Sequence, residues 1–244
     1  MRALLLLLIF INFAFASEIY MKYDVSFGIF GKVGEADAKL VKHENNATYE
    51  ISIDAKTTGL ANSLSGDRRE YFYSTGEIYK DYFLPHLYTH RVERNKGGKV
   101  RVDEKIFTFN QRKSQIHFVR YKGEKGNISK SDDKILDYYA QNDLLSLFFN
   151  FSKIKHDEER YALIAAGANK KDGRVDVFMP SGSKKESLQK ALDTKYQPYI
   201  VYINQKIFSS KKGELHLSLD ENGYAKKAIL KDVIFFGDIV GEAK

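Results

Sequence analysis

The stretch "NDLLSLFFNF", residues 142–151, places six Leu or Phe residues in ten positions, at spacings that suit no half-exposed strand. Asn142 is a good N-cap, Asp143 follows where a helix N-terminus favours negative charge, and Leu has high helix propensity. The stretch therefore predicts a short helix, with Leu144, Leu145, Leu147, Phe148, Phe149 and Phe151 covering nearly its whole circumference. A helix apolar on all sides must be enclosed. This one is too short to cross a bilayer, which takes about 20 residues. What encloses it decides the fold.

The flanking sequence supplies strands. Tyr23, Val25, Phe27 and Ile29 alternate with Asp24, Ser26 and Gly28; Tyr49, Ile51, Ile53 and Ala55 alternate with Glu50, Ser52 and Asp54; Leu215, Leu217 and Leu219 alternate with Glu214, His216 and Ser218. Period-two patterning puts one face on a core and the other in water, as in antiparallel sheets. Noisier runs lie near residues 33–41, 69–75, 77–83, 86–94, 99–109, 114–121, 160–165, 174–178, 199–208 and 224–236. The chain holds 16 Tyr and 17 Phe against 3 Pro, which suits pleated surfaces. Asn95-Lys96-Gly97-Gly98, Lys211-Lys212-Gly213 and Glu221-Asn222-Gly223 read as hairpin tips. Residues 122–134 and 180–187 read as longer loops.

No internal repeat, low-complexity segment or linker divides the chain. The expectation is one all-β domain over residues 17–244, a curved antiparallel sheet forming a half-open or closed barrel with the helix against its concave face. Leu144, Leu145, Leu147, Phe148 and Phe149 are expected to face that concavity, part of their surface lining a binding site.

Residues 1–16, MRALLLLLIFINFAFA, carry Arg2, an apolar run and an Ala14-Phe15-Ala16 cleavage motif, the form of a secretory signal peptide. Cleavage after Ala16 and a periplasmic address are expected. No Cys follows, so neither a lipid anchor nor disulfides are expected, and the core alone must hold the fold. No later stretch is long and apolar enough for a membrane helix.

Lys and Arg number 39 against 32 Asp and Glu. The densest basic stretch is RVERNKGGKVRVDEK, residues 91–105. Such charge can meet phospholipid head groups, lipopolysaccharide phosphates or nucleic acid, the last being the weakest partner for a secreted chain. Interleaved acids also suit an ordinary solvated surface.

Catalytic motifs are lacking. The six His are scattered; His86 and His90 share a strand face by spacing but stand about 13 Å apart, too far for one metal. Ser181-Gly-Ser-Lys184 and Ser209-Ser-Lys-Lys212 fit S-x-x-K, and Lys56-Thr-Thr-Gly59 faintly resembles K-T-G, but the tetrads fall in polar stretches read as loops. No P-loop, G-x-S-x-G or H-E-x-x-H occurs. No catalytic residue, metal or cofactor is expected. Asn46-Ala-Thr48 with Glu44 two residues earlier has the extended sequon of bacterial oligosaccharyltransferases of the campylobacter type, making Asn46 the glycosylation candidate; Asn127 and Asn150 head bare sequons.

Several blocks resemble a secreted bacterial family, domain of unknown function 3108. They are YDVSFGIFGKVGEA (23–36), YEISIDAKTTGL (49–60) with Leu64 and Arg68, LPHLY (84–88) and DLLSLF (143–148). The closing block LKDVIFFGDI (230–239) departs more freely. The resemblance implies an exported, strand-rich protein without established activity, whose layout is similar to the half-barrels of the Lol-type lipoprotein carriers. Fold alone does not give function. The favoured reading is a non-catalytic periplasmic protein that binds an apolar or amphipathic, lipid-like ligand or supports the outer envelope. The alternatives are an envelope protein–protein interaction module and an envelope hydrolase.

Overall fold

The computed structural model describes residues 16–154, 156–169, 171–203, 212–233 and 237–244. Eight antiparallel strands come first: β1 (Ala16–Phe27), β2 (Gly31–His43), β3 (Thr48–Thr57), β4 (Arg69–Tyr79), β5 (Tyr82–Lys96), β6 (Lys99–Asn110), β7 (Gln115–Glu124) and β8 (Asn127–Ile135). A short α1 (Gly59–Ser65) sits between β3 and β4. Then follow β9 (Asn142–Asp143), α2 (Leu144–Asn150), β10 (Arg160–Ala166), β11 (Arg174–Phe178), α3 (Gly182–Leu192), β12 (Pro198–Tyr202), β13 (Glu214–Leu219), β14 (Ala225–Val233) and β15 (Gly237–Ala243).

The fifteen strands of the described residues form one sheet in the order β8-β7-β6-β5-β4-β3-β2-β1-β15-β14-β13-β12-β11-β10-β9. Two meanders are thus joined where β1 pairs with β15, Tyr23 opposite Ala243. The sheet is curved and unclosed, with β8 and β9 at its edges. β8, NISKSDDKI, is exposed on both faces. Its Lys and Asp residues discourage edge-to-edge pairing.

The helix is the plug of this half-barrel. Leu145 and Phe149 join a core cluster with Leu40, Tyr49, Ile51, Phe83, Tyr88 and Phe107 from the first meander. Leu147 and Phe151 join a second cluster with Val175, Val177, Val201 and Leu217 from the second meander, and Leu144 and Phe148 pack against both. An apolar surface all round is what a helix wedged between two halves of one sheet requires.

Three sets of polar contacts seat the plug. Asp143, not Asn142, is the N-cap: its Oδ1 accepts from the backbone N–H groups of Leu145 (2.7 Å) and Ser146 (3.0 Å), and the Asp143 N–H donates to Ser146 Oγ (2.9 Å). Asp143 Oδ2 also accepts from Ser74 Oγ on β4 at 2.6 Å. At the other end, buried Asn150 mimics a strand neighbour. Its Oδ1 accepts from Phe83 N and its Nδ2 donates to Phe83 O, both at 2.9 Å.

Several sequence expectations need correcting. The run starting at Tyr23 stops at Phe27, since Gly28–Phe30 form a 3-10 turn. The run near 77–83 is broken by Lys80 and Asp81, both at positive φ, which turn β4 into β5. Residues 122–134 are mostly the β7–β8 hairpin; an edge strand wet on both faces shows no alternation. Residues 180–187 contain the start of α3, which buries only Leu188 and Leu192, too sparse a stripe to signal a helix. The ends of the runs at 199–208 and 224–236, and Lys211, lie outside the described residues. The tips at 95–98 and 221–223 are turns as expected, with Gly97, Gly98 and Gly223 at positive φ.

Candidate functional site

Cross-strand partners project from the same face of a sheet, so the register lays out the concave surface row by row. The row nearest the plug runs Ile19, Leu40, Ile51, Ser74, Tyr88, Phe107 and Phe118 across β1 to β7. Two residues further along, it runs Met21, Ala38, Ile53, Phe72, His90, Lys105 and Arg120. The next row is Tyr23, Ala36, Ala55, Glu70, Val92, Asp103 and Lys122. Beyond it, Arg94 stands opposite Arg101. One face therefore changes from aromatic to cationic along β5–β7, while along β1–β3 it stays apolar as far as Ala36 and Ala55.

The change follows the two ends of the half-barrel. Turns β2–β3, β4–β5 and β6–β7 lie at the end sealed by α2. Turns β1–β2, β3–β4, β5–β6 and β7–β8 lie at the other, open end. There a cavity of about 1030 Å³ is lined by Arg68, Arg94, Lys96, Arg101, Arg120 and Lys122, with Lys99, Lys105, His90 and the single acid Asp103 also on its wall. A smaller apolar cleft of about 230 Å³ adjoins it beneath α1, walled by Val25, Phe27, Val33, Ala55, Ala61 and Ile239. Arg68 lines both.

Part of the positive charge is already matched. Arg120 donates to Asp103 (2.7 Å) and Arg68 to Glu70 (2.7 Å), and His90 Nε2 lies 2.8 Å from Glu70 Oε2. Burial alone would raise the Glu70 carboxyl, but the hydrogen bond from His90 and the charge of Arg68 outweigh it, and the group sits below its ordinary value. Asp103 is likewise held down, Arg120 overcoming the cost of burial. Glu124 pairs with Lys99 and Arg101, both at 3.2 Å. Arg94 and Lys96 make no ion pair among the described residues. A cavity with this lining is suited to an anion, because charge-assisted bonds to Arg and Lys strengthen as water is excluded.

The two histidines need a correction. Thr75 pairs with Leu87 and Gly76 with Pro85, so His86 is an extra residue at a bulge. A bulge shifts the parity of the strand: Phe83 and Pro85 are buried before it, Tyr88 and His90 after it. His86 is exposed on the outer face and His90 buried on the inner one, so they do not share a face. His90 stacks on Phe72 with ring centroids 4.2 Å apart. Among the described residues, no group of three His, Cys, Asp or Glu side chains is placed to hold a metal ion.

The remaining motif residues are dispersed. Ser181 stands at the N-cap position of α3 without a capping hydrogen bond, and its Oγ donates to Glu159 (2.7 Å) rather than meeting Lys184. That tetrad lies at a helix start and not in a loop, yet nothing buries it. Ser209 lies outside the described residues. Lys56-Thr-Thr-Gly59 runs from β3 into α1, with Thr57 Oγ1 bonded to Asn62 and Ser65. Asn46 is exposed in the 3-10 turn Glu44–Asn46, and Thr48 Oγ1 donates to its Oδ1 (2.7 Å). Asn127 opens β8, exposed, and Asn150 is buried.

Of the five helix residues expected at a ligand site, Leu145, Leu147 and Phe149 are buried, while Leu144 and Phe148 are half-buried. None lines the basic cavity or the apolar cleft. The basic wall was partly legible as the 91–105 stretch. Its alternating cations at 94 and 96, 99 and 101, and 120 and 122 are the signal that sends them to one face.

No family model matches the chain, leaving the likeness to domain of unknown function 3108 without a matching model, and no curated protein matches either. Among solved structures, the chain is similar to a β-barrel-like protein of domain of unknown function 1849 from Brucella abortus, with 12% identity, 92% of this chain and 94% of that one covered, and a TM-score of 0.43.

Proposed function

We propose that this is an exported, non-catalytic periplasmic binding protein whose ligand is amphipathic, with an anionic head in the basic cavity and an apolar chain in the adjoining cleft. The observation that carries this reading is the lateral split of one concave face: cations along β5–β7, apolar residues along β1–β3, and Arg68 at the seam. Export rests on the leader-like residues 1–16, of which 1–15 lie outside the described residues; β1 begins at Ala16. Sequencing the mature protein should give Ser17 first, and a mature chain beginning at Met1 would refute export.

A hydrolase reading finds less support. His90 with Glu70 and Phe72 resembles the oriented half of a catalytic triad, but among the described residues no Ser or Thr hydroxyl hydrogen-bonds that imidazole, and a nucleophile must lie within such reach.

The direct test is titration with dansyl-undecanoate, a fluorescent anionic chain, with laurate and dodecanol as competitors. Laurate should displace the probe and the neutral alcohol should not. Replacing Arg101 and Lys122 together by Gln should weaken probe binding by about tenfold, since charged hydrogen bonds contribute roughly 1.5–3 kcal/mol each before solvent screening. Equal competition by the alcohol, or no probe binding at all, would overturn the assignment.

A further inference from the structure

We infer that the open end of the half-barrel is a docking face for an anionic phospholipid membrane, with Phe30 and Leu64 entering the bilayer interface and Arg94 and Lys96 meeting lipid head groups. The meander topology brings these residues together. Phe30 belongs to the β1–β2 turn, Leu64 to α1 in the β3–β4 connection, and Arg94 and Lys96 to the end of β5 before the β5–β6 tip. All three connections lie at the end opposite the α2 plug.

Phe30 is 59% exposed and Leu64 76% exposed, large apolar side chains held in water at the tips of two neighbouring connections. Their exposure is built in. Gly28 and Gly31, both at positive φ, make the tight turn that projects Phe30, whose ring stacks on Phe27 at 5.5 Å with planes 7° apart. Phe27 is in turn a wall of the apolar cleft. Leu64 is carried on a helix that opens at Gly59 and is capped by Gly66, both again at positive φ. The Gly66 carbonyl accepts from Asn95 N (2.5 Å), which ties α1 to the basic hairpin. A Cβ at Gly66 would collide with the Asn95 carbonyl, so the close approach depends on glycine.

Charge decides what covers this face. Arg94 and Lys96 make no ion pair among the described residues, and both line the cavity mouth. Apolar tips flanked by unmatched cations are the combination that favours an anionic interface, each Lys or Arg near such a surface strengthening attachment about fivefold beyond the apolar contribution. The sealed end carries exposed Tyr79, Tyr82 and Ile135 instead; Lys80 lies over the Tyr79 ring at 5.2 Å, and the Tyr82 hydroxyl donates to the Lys153 carbonyl (3.0 Å). Docking by the open end would set the cavity mouth against the lipid surface. Docking requires no ligand in the cavity.

The test is flotation of the purified protein with vesicles of phosphatidylcholine containing phosphatidylglycerol, against vesicles of phosphatidylcholine alone. The protein should float with the anionic vesicles, and less as salt is raised. Phe30→Ser with Leu64→Ser should lower the partition coefficient by about tenfold, allowing for partial burial of each side chain. Arg94→Gln with Lys96→Gln should lower it by about tenfold or more. Tyr79→Ser, at the sealed end, should leave it unchanged. Unaltered thermal melting of each variant establishes that these surface changes leave the fold intact, and probe binding in solution by the Phe30/Leu64 pair keeps the ligand assignment separate. Failure of the folded protein to float, equal binding to neutral vesicles, insensitivity to both open-end pairs, or loss on Tyr79→Ser would each overturn the docking face.

Discussion

Truncating Phe149 to Ala probes the join between the two meanders. The ring lies edge-on to Phe83 (6.2 Å), Phe148 (5.3 Å) and Tyr224 (6.1 Å), so one side chain touches β5, its own helix and the turn before β14. It is 5% exposed. Removing a Phe from such a site costs about 3–5 kcal/mol, the transfer term plus a cavity the neighbours cannot close. Against a total stability of order 5–15 kcal/mol, that is a large fraction. With a urea m-value of about 2–3 kcal/mol/M, the unfolding midpoint should fall by roughly 1.5 M with m unchanged. Phe148, half-buried between the same clusters, should cost about 2 kcal/mol, because solvent already reaches part of it. Equilibrium urea unfolding followed by far-UV circular dichroism measures both. A loss under about 2 kcal/mol for Phe149→Ala would refute the plug, since an enclosed ring cannot be removed so cheaply. A changed probe affinity on Phe148→Ala, with little loss of stability, would instead extend the ligand site onto the helix.

Three further outcomes follow from the same geometry. Asn150→Leu strips partners from the Phe83 N–H and C=O, and two orphaned buried groups should cost about 2–5 kcal/mol in the same urea assay; a neutral result would mean that the helix is not docked through β5. Burial pushes the Asp143 carboxyl up to about 6 despite hydrogen bonds from Ser74, Ser146 and Leu145. The folded state then binds a proton more tightly than the unfolded chain, so this group's contribution is fully present below about pH 4 and is lost as pH rises through 6. Asp143→Asn should therefore gain on the wild type by up to about 3 kcal/mol between pH 4 and 7, and a pH-independent difference would refute the shift. In a host with the appropriate oligosaccharyltransferase, intact-mass measurement should find glycan on exposed Asn46 and none on Asn127 or buried Asn150. A glycan mass that persists in Asn46→Gln would rule this site out.

What the sequence determined by itself was the kind of surface each segment presents. Alternation at Tyr49–Ala55 or Leu215–Leu219 demanded strands half in water, the Gly-rich tips demanded turns, and the six Leu and Phe residues of 142–151 demanded enclosure. Those are local requirements, set by side-chain period and backbone conformation, and they were enough to name a curved sheet around a helix. They could not say how strands meet. Only the tertiary structure decided that β1 pairs with β15 to join two meanders, that Asp143 rather than Asn142 caps the plug while its second oxygen meets Ser74 on β4, and that the bulge at His86 turns it away from His90. A β8 wet on both faces and an α3 burying two Leu leave almost no periodic trace. The cationic wall is the clearest case. Arg94, Arg101, Arg120 and Lys122 are ordinary strand residues until hydrogen-bond register, a relation between segments distant in the chain, sets them side by side on the concave face and leaves Arg68 between charge and oil.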